Sequence, residues 1–342
     1  MQSVLAKSAP IHQDLQSKHP IHESCAAVNL ETLEAILAFY PQHANVLKRG
    51  DWTPLMTLAA SKQVSIDNSR AIKCMELLVT FNADLPLVNK DGWNCLQIAI
   101  KHNNIEMASW LLKQDSTLAE NITKNGRTAL HILCLDAKNE NECLVLQKKL
   151  IIAYPEAVKR RDACGCVPFF EALKGGNVLL ARELLPSHAD VWELTDSCGK
   201  NALHICAETG QIDSLRMFPL IDLKLWKRKT HLGQTPLHLA CKEGNDEIVE
   251  FILQNAEEDV VLEKDNKGRN ALYYAAIGTA AQCEVARTER CHCLESIARF
   301  ICSKNLIPIE ELKEELRNLE ATTESKYISQ YLKLSPGCLL NV

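Results

Sequence analysis

One short phrase recurs along this chain at a nearly constant interval, and that interval limits the possible folds more than any other feature. Its fullest form is Thr235-Pro236-Leu237-His238-Leu239-Ala240. Related phrases are Thr53-Pro54-Leu55, Asn94-Cys95-Leu96, Thr128-Ala129-Leu130-His131, Val167-Pro168-Phe169, Asn201-Ala202-Leu203-His204 and Asn270-Ala271-Leu272, with a degenerate copy at His19-Pro20-Ile21-His22. The second position falls at 20, 54, 95, 129, 168, 202, 236 and 271, in steps of 34, 41, 34, 39, 34, 34 and 35 residues. A unit of this length cannot bury its own apolar face. Stacked copies share one elongated core, with stability passed from neighbour to neighbour.

The seventh copy shows what each unit folds into. Gly233 allows a turn with positive φ. Thr235 suits a helix N-cap, and Pro236 suits the first helical position, where its missing N–H would be unpaired anyway. Gly244 ends this first helix. Ile248, Val249, Ile252 and Leu253 supply the apolar stripe of a second. Equivalent turn glycines are Gly92, Gly126, Gly165, Gly199 and Gly268. The second copy has Asp51 at that place with Gly50 beside it, which predicts a shifted turn. Glycine turn, capped helix and amphipathic helix at a period of about 33 residues resemble the ankyrin repeat. The resemblance covers residues 17–305 and implies an all-α solenoid of about eight helix-turn-helix repeats, starting near 17, 51, 91, 125, 164, 198, 232 and 267. Short hairpin or turn fingers would project from it. Residues 1–16 form an N-terminal tail. Residues 306–342 form a helical cap and tail, with Ile309, Leu312, Leu316 and Leu319 on one face of a helix over 309–320.

Three copies are long. Their extra residues fall around 64–73, 136–143 and 279–292, which predicts turns projecting from one edge, either as tolerated insertions or as a second binding edge. The similar phrases Tyr40-Pro41 and Tyr154-Pro155 predict helix stops, since proline cannot continue a helix.

The balance of 38 basic to 43 acidic residues gives a net charge of −5 and no global attraction to nucleic acid or anionic lipid. The basic run Lys224-Leu225-Trp226-Lys227-Arg228-Lys229 stands alone and reads as a solvated loop. No apolar run approaches the length of a membrane span, and no leader pattern opens the chain. The fifteen cysteines, many at small apolar core positions such as Cys134, Cys206 and Cys241, read as free thiols in a reducing, cytoplasmic compartment. Cys283, Cys291, His292, Cys293 and Cys302 cluster, and Cys164 with Cys166 forms a CxC. Neither group has the paired spacing of a structural zinc site, so no metal or cofactor is expected. No nucleophile motif or phosphate-binding loop occurs. An enzyme or metal-dependent protein built on an atypical Cys/His site is the alternative to a binding scaffold.

The resemblance implies a protein partner, with no small-molecule substrate, held by the fingers and the concave face of the first helices. It implies that His22, His131, His204 and His238 tie each repeat to the next. Position by position it points to Trp52, Trp93, Arg127, Lys200, Gln234 and Arg269 after the finger turns, and to Lys101, His102, Glu208 and Lys242 near the ends of the first helices. Trp52 and Trp93 are either interface anchors or rings packed on a neighbouring finger. The glutamate block 310–315 with the terminal 338–342 also resembles the tail signal of effectors injected by type IVB secretion systems of intracellular bacterial pathogens. That resemblance implies action in a host cytosol; a charged capping helix is the plain alternative.

Overall fold

The computed structural model describes residues 19–64, 66–185, 193–216, 222–278 and 284–323; side chains of 278, 284–291 and 320–323 are outside the description. The chain divides into two compact units, Met1–Ala163 with Val167–Gly175 and Cys164–Cys166 with Gly176–Val342. The division falls inside the fifth repeat, whose inner helix belongs to the first unit and whose fingertip and outer helix belong to the second. The all-α repeat solenoid that the sequence implies is what the structure shows.

In the first unit the inner helices Pro20–Ala26, Pro54–Ala59, Cys95–Lys101, Ala129–Asp136 and Pro168–Lys174 stack in order. The outer helices Leu30–Phe39, Asn68–Thr80, Ile105–Gln114 and Glu140–Ala153 stack behind them. The second unit repeats this plan with inner helices Ala202–Thr209, Pro236–Glu243 and Ala271–Gly278, and outer helices that include Asp246–Asn255 and Glu284–Ser303. Buried Leu55, Leu58, Leu96, Ala99, Leu130 and Leu133 fill the first core, and Leu203, Cys206, Leu237, Ala240 and Leu272 the second. Helix Ile309–Thr323 lies on Ala271–Gly278 and closes the second stack with Leu312, Leu316 and Leu319 buried.

Each finger is closed locally. The residue three before the turn glycine donates its N–H to the carbonyl of the residue after it: Asn89 to Trp93 at 3.0 Å, Thr123 to Arg127 at 3.0 Å, Asp265 to Arg269 at 2.9 Å. Its short polar side chain accepts in return, as when Asn89 Oδ1 takes the N–H groups of Asp91 and Trp93. Successive fingers are then joined by single backbone bonds. In the first unit Lys90 N donates to Gly50 O at 2.9 Å, and Lys124 N to Asp91 O at 3.0 Å. In the second, Ser197 N donates to Cys164 O at 2.9 Å, and His231 N to Cys198 O at 3.0 Å. Glycine at the turn meets two demands at once. Gly233 has φ +77°, and a Cβ there would stand 2.6 Å from Asn266 N of the next finger.

The shift predicted for the second finger does not occur. Asp51 takes the left-handed conformation itself, at φ 60°, and Asp51 N bonds Lys48 O as Gly92 N bonds Asn89 O. Aspartate tolerates this region better than most residues, so the register holds. The long repeats also depart from expectation. The fourth carries its extra residues in a 14-residue outer helix after a short turn, against 10 residues in the third. The second divides its excess between its turn and a 13-residue outer helix. In the eighth, residues 279–283 are outside the described residues and the outer helix has 20 residues. Extending a helix satisfies each added backbone group within the helix, whereas a projecting loop leaves those groups to solvent. Pro41 and Pro155 stop their helices as expected and open 3-10 turns, Pro41–Asn45 and Pro155–Lys159.

Candidate protein-binding site

The histidines of the repeat frame couple neighbours through both ring nitrogens. His238 Nδ1 lies 2.7 Å from the N-cap hydroxyl of Thr235, while Nε2 lies 3.1 Å from Arg269 O in the next finger. His204 does the same with Asn201 and Gln234 O. His22 bridges the second repeat differently, through Thr57 Oγ1 at 2.9 Å and Val46 O at 3.0 Å. Burial lowers all three to about 4, so they are neutral at pH 7. Gln97 holds the equivalent place in the third repeat and makes the same N-terminal box, its Nε2 donating to Asn121 O at 2.9 Å.

The residues assigned to binding fare differently in the two units. In the first, Trp52 is half-buried, with Lys48 Nζ 5.4 Å from its ring centre and Gly50 beneath it. Trp93 is half-buried on the adjacent finger, its backbone fixed by Asn89. The fingertip residues Arg49, Lys90 and Lys124 are exposed cations on the same run of fingers. Lys101 is exposed and held by Asp136 at 2.9 Å. Burial first, and then the charges of Lys101, Lys62 and Lys138, hold the His102 imidazole below its ordinary value. Arg127 does not join that surface freely. Its guanidinium lies 2.9 Å from Glu171, whose side chain is 0% exposed, and 3.3 Å from buried Asp162. Lys174 closes on the other Glu171 oxygen at 2.8 Å. Arg127 thus neutralises a buried carboxylate.

In the second unit Lys200 and Glu208 are paired with each other, at 2.6 and 2.7 Å. Exposed Lys242 pairs with Glu243. Gln234 is 8% exposed and donates to the Tyr274 hydroxyl at 2.8 Å, because Tyr274 replaces the aliphatic residue of the frame and needs polar partners. Arg269 grips Asp265 at 2.7 Å and lies over the rings of Tyr273 and Tyr274. Burial acts to raise the Asp265 carboxyl, yet hydrogen bonds from Arg269 and Tyr274 hold it well below the usual range. Gln234 and Arg269 therefore serve the stack itself. The signal that sequence reading passed over is the short polar residue three before each turn glycine: Asn89, Thr123, Asp162, Asp196, Thr230 and Asp265. It fixes each finger; Asp265 also holds the arginine that follows its own turn, and Asp162 holds Arg127 of the preceding finger.

Cys283, Cys291 and Cys338 lie outside the described side chains. Of the others, Cys293 is buried beside Cys241 while His292 is exposed, so neighbours in that run face opposite ways. Cys164 and Cys198 are exposed on fingertips, and burial pushes the Cys95 thiol up to about 12. Since the thiolate is the reacting species, Cys164 and Cys198 should be labelled first by an aromatic disulfide reagent, and buried Cys25, Cys95, Cys134 and Cys206 only on unfolding. Mass spectrometry of the labelled native protein checks this order; early labelling of the buried set would contradict it. No helix among the described residues is long and apolar enough to cross a membrane.

Comparison with known proteins agrees with the geometry. The family model described as ankyrin repeats (3 copies) matches residues 21–116, 63–149 and 217–288, and ankyrin repeats (many copies) matches 169–218. The chain is 25% identical over 213 residues to human transient receptor potential cation channel subfamily A member 1, covering 60% of this chain and 18% of that protein. It is 26% identical over 166 residues to mouse Rabankyrin-5, covering 48% and 14%. It is 24% identical over 315 residues to the Caenorhabditis elegans poly(ADP-ribose) polymerase tankyrase, covering 78% and 13%. The chain thus spans less than a fifth of the length of each of these relatives. With the family model matching more than half of its residues, and with its glycine fingers and histidine-tied helix pairs, this chain belongs to the ankyrin-repeat family.

Proposed function

We propose that the protein is a non-enzymatic scaffold that binds a partner protein through the fingers and concave face of its first unit. The observation that carries this reading is the pair of half-buried indoles, Trp52 and Trp93, on adjacent fingers whose turns also carry the exposed cations Arg49, Lys90 and Lys124. Trp52 already has Lys48 and Gly50 against its ring, so Trp93 is the stronger anchor. Large rings at a rim of cations suit a partner with an apolar centre and an acidic edge. Exposed Lys101 and His102 extend the contact along the helix ends; Arg127, Gln234 and Arg269, engaged within the stack, are left out of it.

Trp93→Ala is expected to weaken binding at least about tenfold, roughly 1.4 kcal/mol, with an unchanged melting temperature. Calorimetric titration against a partner recovered by affinity capture, with thermal melts alongside, measures both. Unchanged affinity, or a stability loss that tracks the affinity loss, would make the ring a packing residue. An injected effector acting on a host protein would use this same surface. Its support is the resemblance of residues 310–315 and 338–342 to an export tail. The first segment lies on the cap helix, with Glu310, Glu311 and Glu314 in solvent above buried Leu312 and Leu316, and the second is outside the described residues. A translocation reporter fused to residues 306–342 tests it: delivery into host cells supports export, and its failure leaves the block a cap.

A further inference from the structure

The outer helices of the third and fourth repeats enclose an open groove of about 510 Å³ on the face away from the fingers. Leu112 and Ala153 form its floor, Ser109 and Ser116 place hydroxyls along it, and Lys113 and Lys149 stand at its two sides. No carboxylate lines it. Neither ammonium takes part in an ion pair among the described residues.

The helix that forms one wall has apolar side chains on two of its sides. Glu140–Ala153 buries Cys143, Leu146 and Leu150 on one side, yet presents Val145 and Ile152 on the other, with Ile152 80% exposed. Residues 145, 149 and 152 recur at helical spacing, so Val145, Lys149 and Ile152 form one stripe. A soluble repeat has no use for an isoleucine that exposed beside an apolar groove unless something covers it. The corresponding groove in the second unit, between Asp246–Asn255 and Glu284–Ser303, differs in charge. It includes the carboxylate of Glu250, and its Arg299 is already paired with Glu295. The groove of the third and fourth repeats thus differs from that one in having two unpaired cations and no carboxylate among its lining residues.

We infer that this groove is a second docking site, for an acidic amphipathic helix of a partner protein that seats apolar side chains over Leu112 and Ile152 and carboxylates against Lys113 and Lys149. Charge complementarity selects the occupant: a neutral apolar segment would leave both ammonium groups at a drying interface without counter-charge, and a basic one would meet repulsion. A helix laid by its apolar face into such a groove is a recurrent mode of recognition. The site is separate from the finger surface of the proposed function and stands or falls without it.

The test uses the full chain and short fluorescein-labelled helical peptides with a leucine pair on one face, flanked by glutamates, glutamines or lysines. Fluorescence anisotropy should show the glutamate peptide binding at least about tenfold more tightly than the glutamine peptide, with an affinity that falls as salt rises. Lys113→Glu/Lys149→Glu should lose the glutamate peptide by about tenfold or more and gain the lysine peptide. Ile152→Ser should weaken every peptide. Arg299→Glu, in the other groove, should leave the affinities as they were. All three substitutions of the groove fall on exposed side chains, and the gain of the lysine peptide shows that the doubly reversed variant is folded. Equal binding of the three peptides, no binding of any, or indifference to the charge reversal overturns the proposal. Phosphatidylglycerol vesicles serve as the remaining arm: vesicle binding that is lost in the doubly reversed variant, without peptide binding, would assign the groove to a membrane surface and overturn it as well.

Discussion

Replacing Arg127 by alanine lowers the stability of the first unit by about 3 kcal/mol, the order expected when one partner of a buried ion pair is removed. Arg127 is itself partly exposed, at 29% of its side chain, but Glu171 is fully enclosed and depends on it. Without the guanidinium, one Glu171 oxygen keeps Lys174 and the other loses its charged donor. The carboxylate then sits in the core with half its compensation gone. The frame explains why this is costly: the positions equivalent to 171 hold Ile98, Ile132, Ile205 and Leu239 in other repeats. A double variant, Arg127→Ala/Glu171→Ile, removes the stranded charge and restores an aliphatic residue at an aliphatic position. It should recover the part of the loss that comes from Glu171, because a buried pair replaced by an apolar group of similar size is often neutral, while Asp162 still lacks its arginine. Urea denaturation of the wild type, both single variants and the double variant completes the cycle. Purely additive losses would show that the two residues do not act as a pair. A large loss of partner affinity in Arg127→Ala with stability unchanged would return Arg127 to the binding surface.

Acidification is the second large effect. His204 and His238 have folded pKa values of about 4, set first by burial, against an ordinary value of 6.5. Between those two values the unfolded chain binds more protons than the folded one, so stability rises with pH across the window. It is complete above about 6.5 and is lost as the pH falls toward 4. Each buried histidine should remove on the order of 2 kcal/mol by pH 4.5. His22 adds to the effect in the first unit in the same direction. Asp265, held low by Arg269 and Tyr274, loses its contribution only at more acid pH and does not blur this window. The third repeat supplies the control within the same molecule, since Gln97 makes the box and reaches Arg127 O of the next finger at 3.4 Å without a titrating ring. His204→Gln/His238→Gln should therefore keep nearly full stability at pH 7 and flatten the decline from pH 6.5 to 4.5. Denaturant melts at several pH values measure this. An unchanged acid slope in the double variant would place the sensitivity elsewhere.

Both effects bear on how a repeat chain is read. The histidine ties were visible because they belong to the frame: three places into a capped helix, the rings of His204 and His238 each face a carbonyl of the next finger. Arg127 occupied an equally regular place, after a turn glycine, and there the regularity misled. Its role depends on Glu171, 44 residues distant, which stands where other repeats hold Ile98, Ile132, Ile205 or Leu239. Gln234 is the same case, drawn inward by Tyr274, 40 residues on.

What the sequence by itself determined is everything that one repeat settles locally or that the period carries to the next. The helix starts at Thr53, Asn94 and Thr235, the positive-φ glycines, the helix stops at Pro41 and Pro155 and the apolar face of the 309–320 helix are short-range matters of capping, backbone freedom and spacing. Only the tertiary structure decided where the surplus went. It placed the extra residues of the fourth repeat in a lengthened outer helix, satisfied two finger arginines with buried carboxylates, and left Lys113 and Lys149 facing each other across an uncovered groove. Those outcomes turn on which side chain of a neighbouring repeat lies within reach. Composition and period say that a neighbour exists; they do not say which charge or ring it brings.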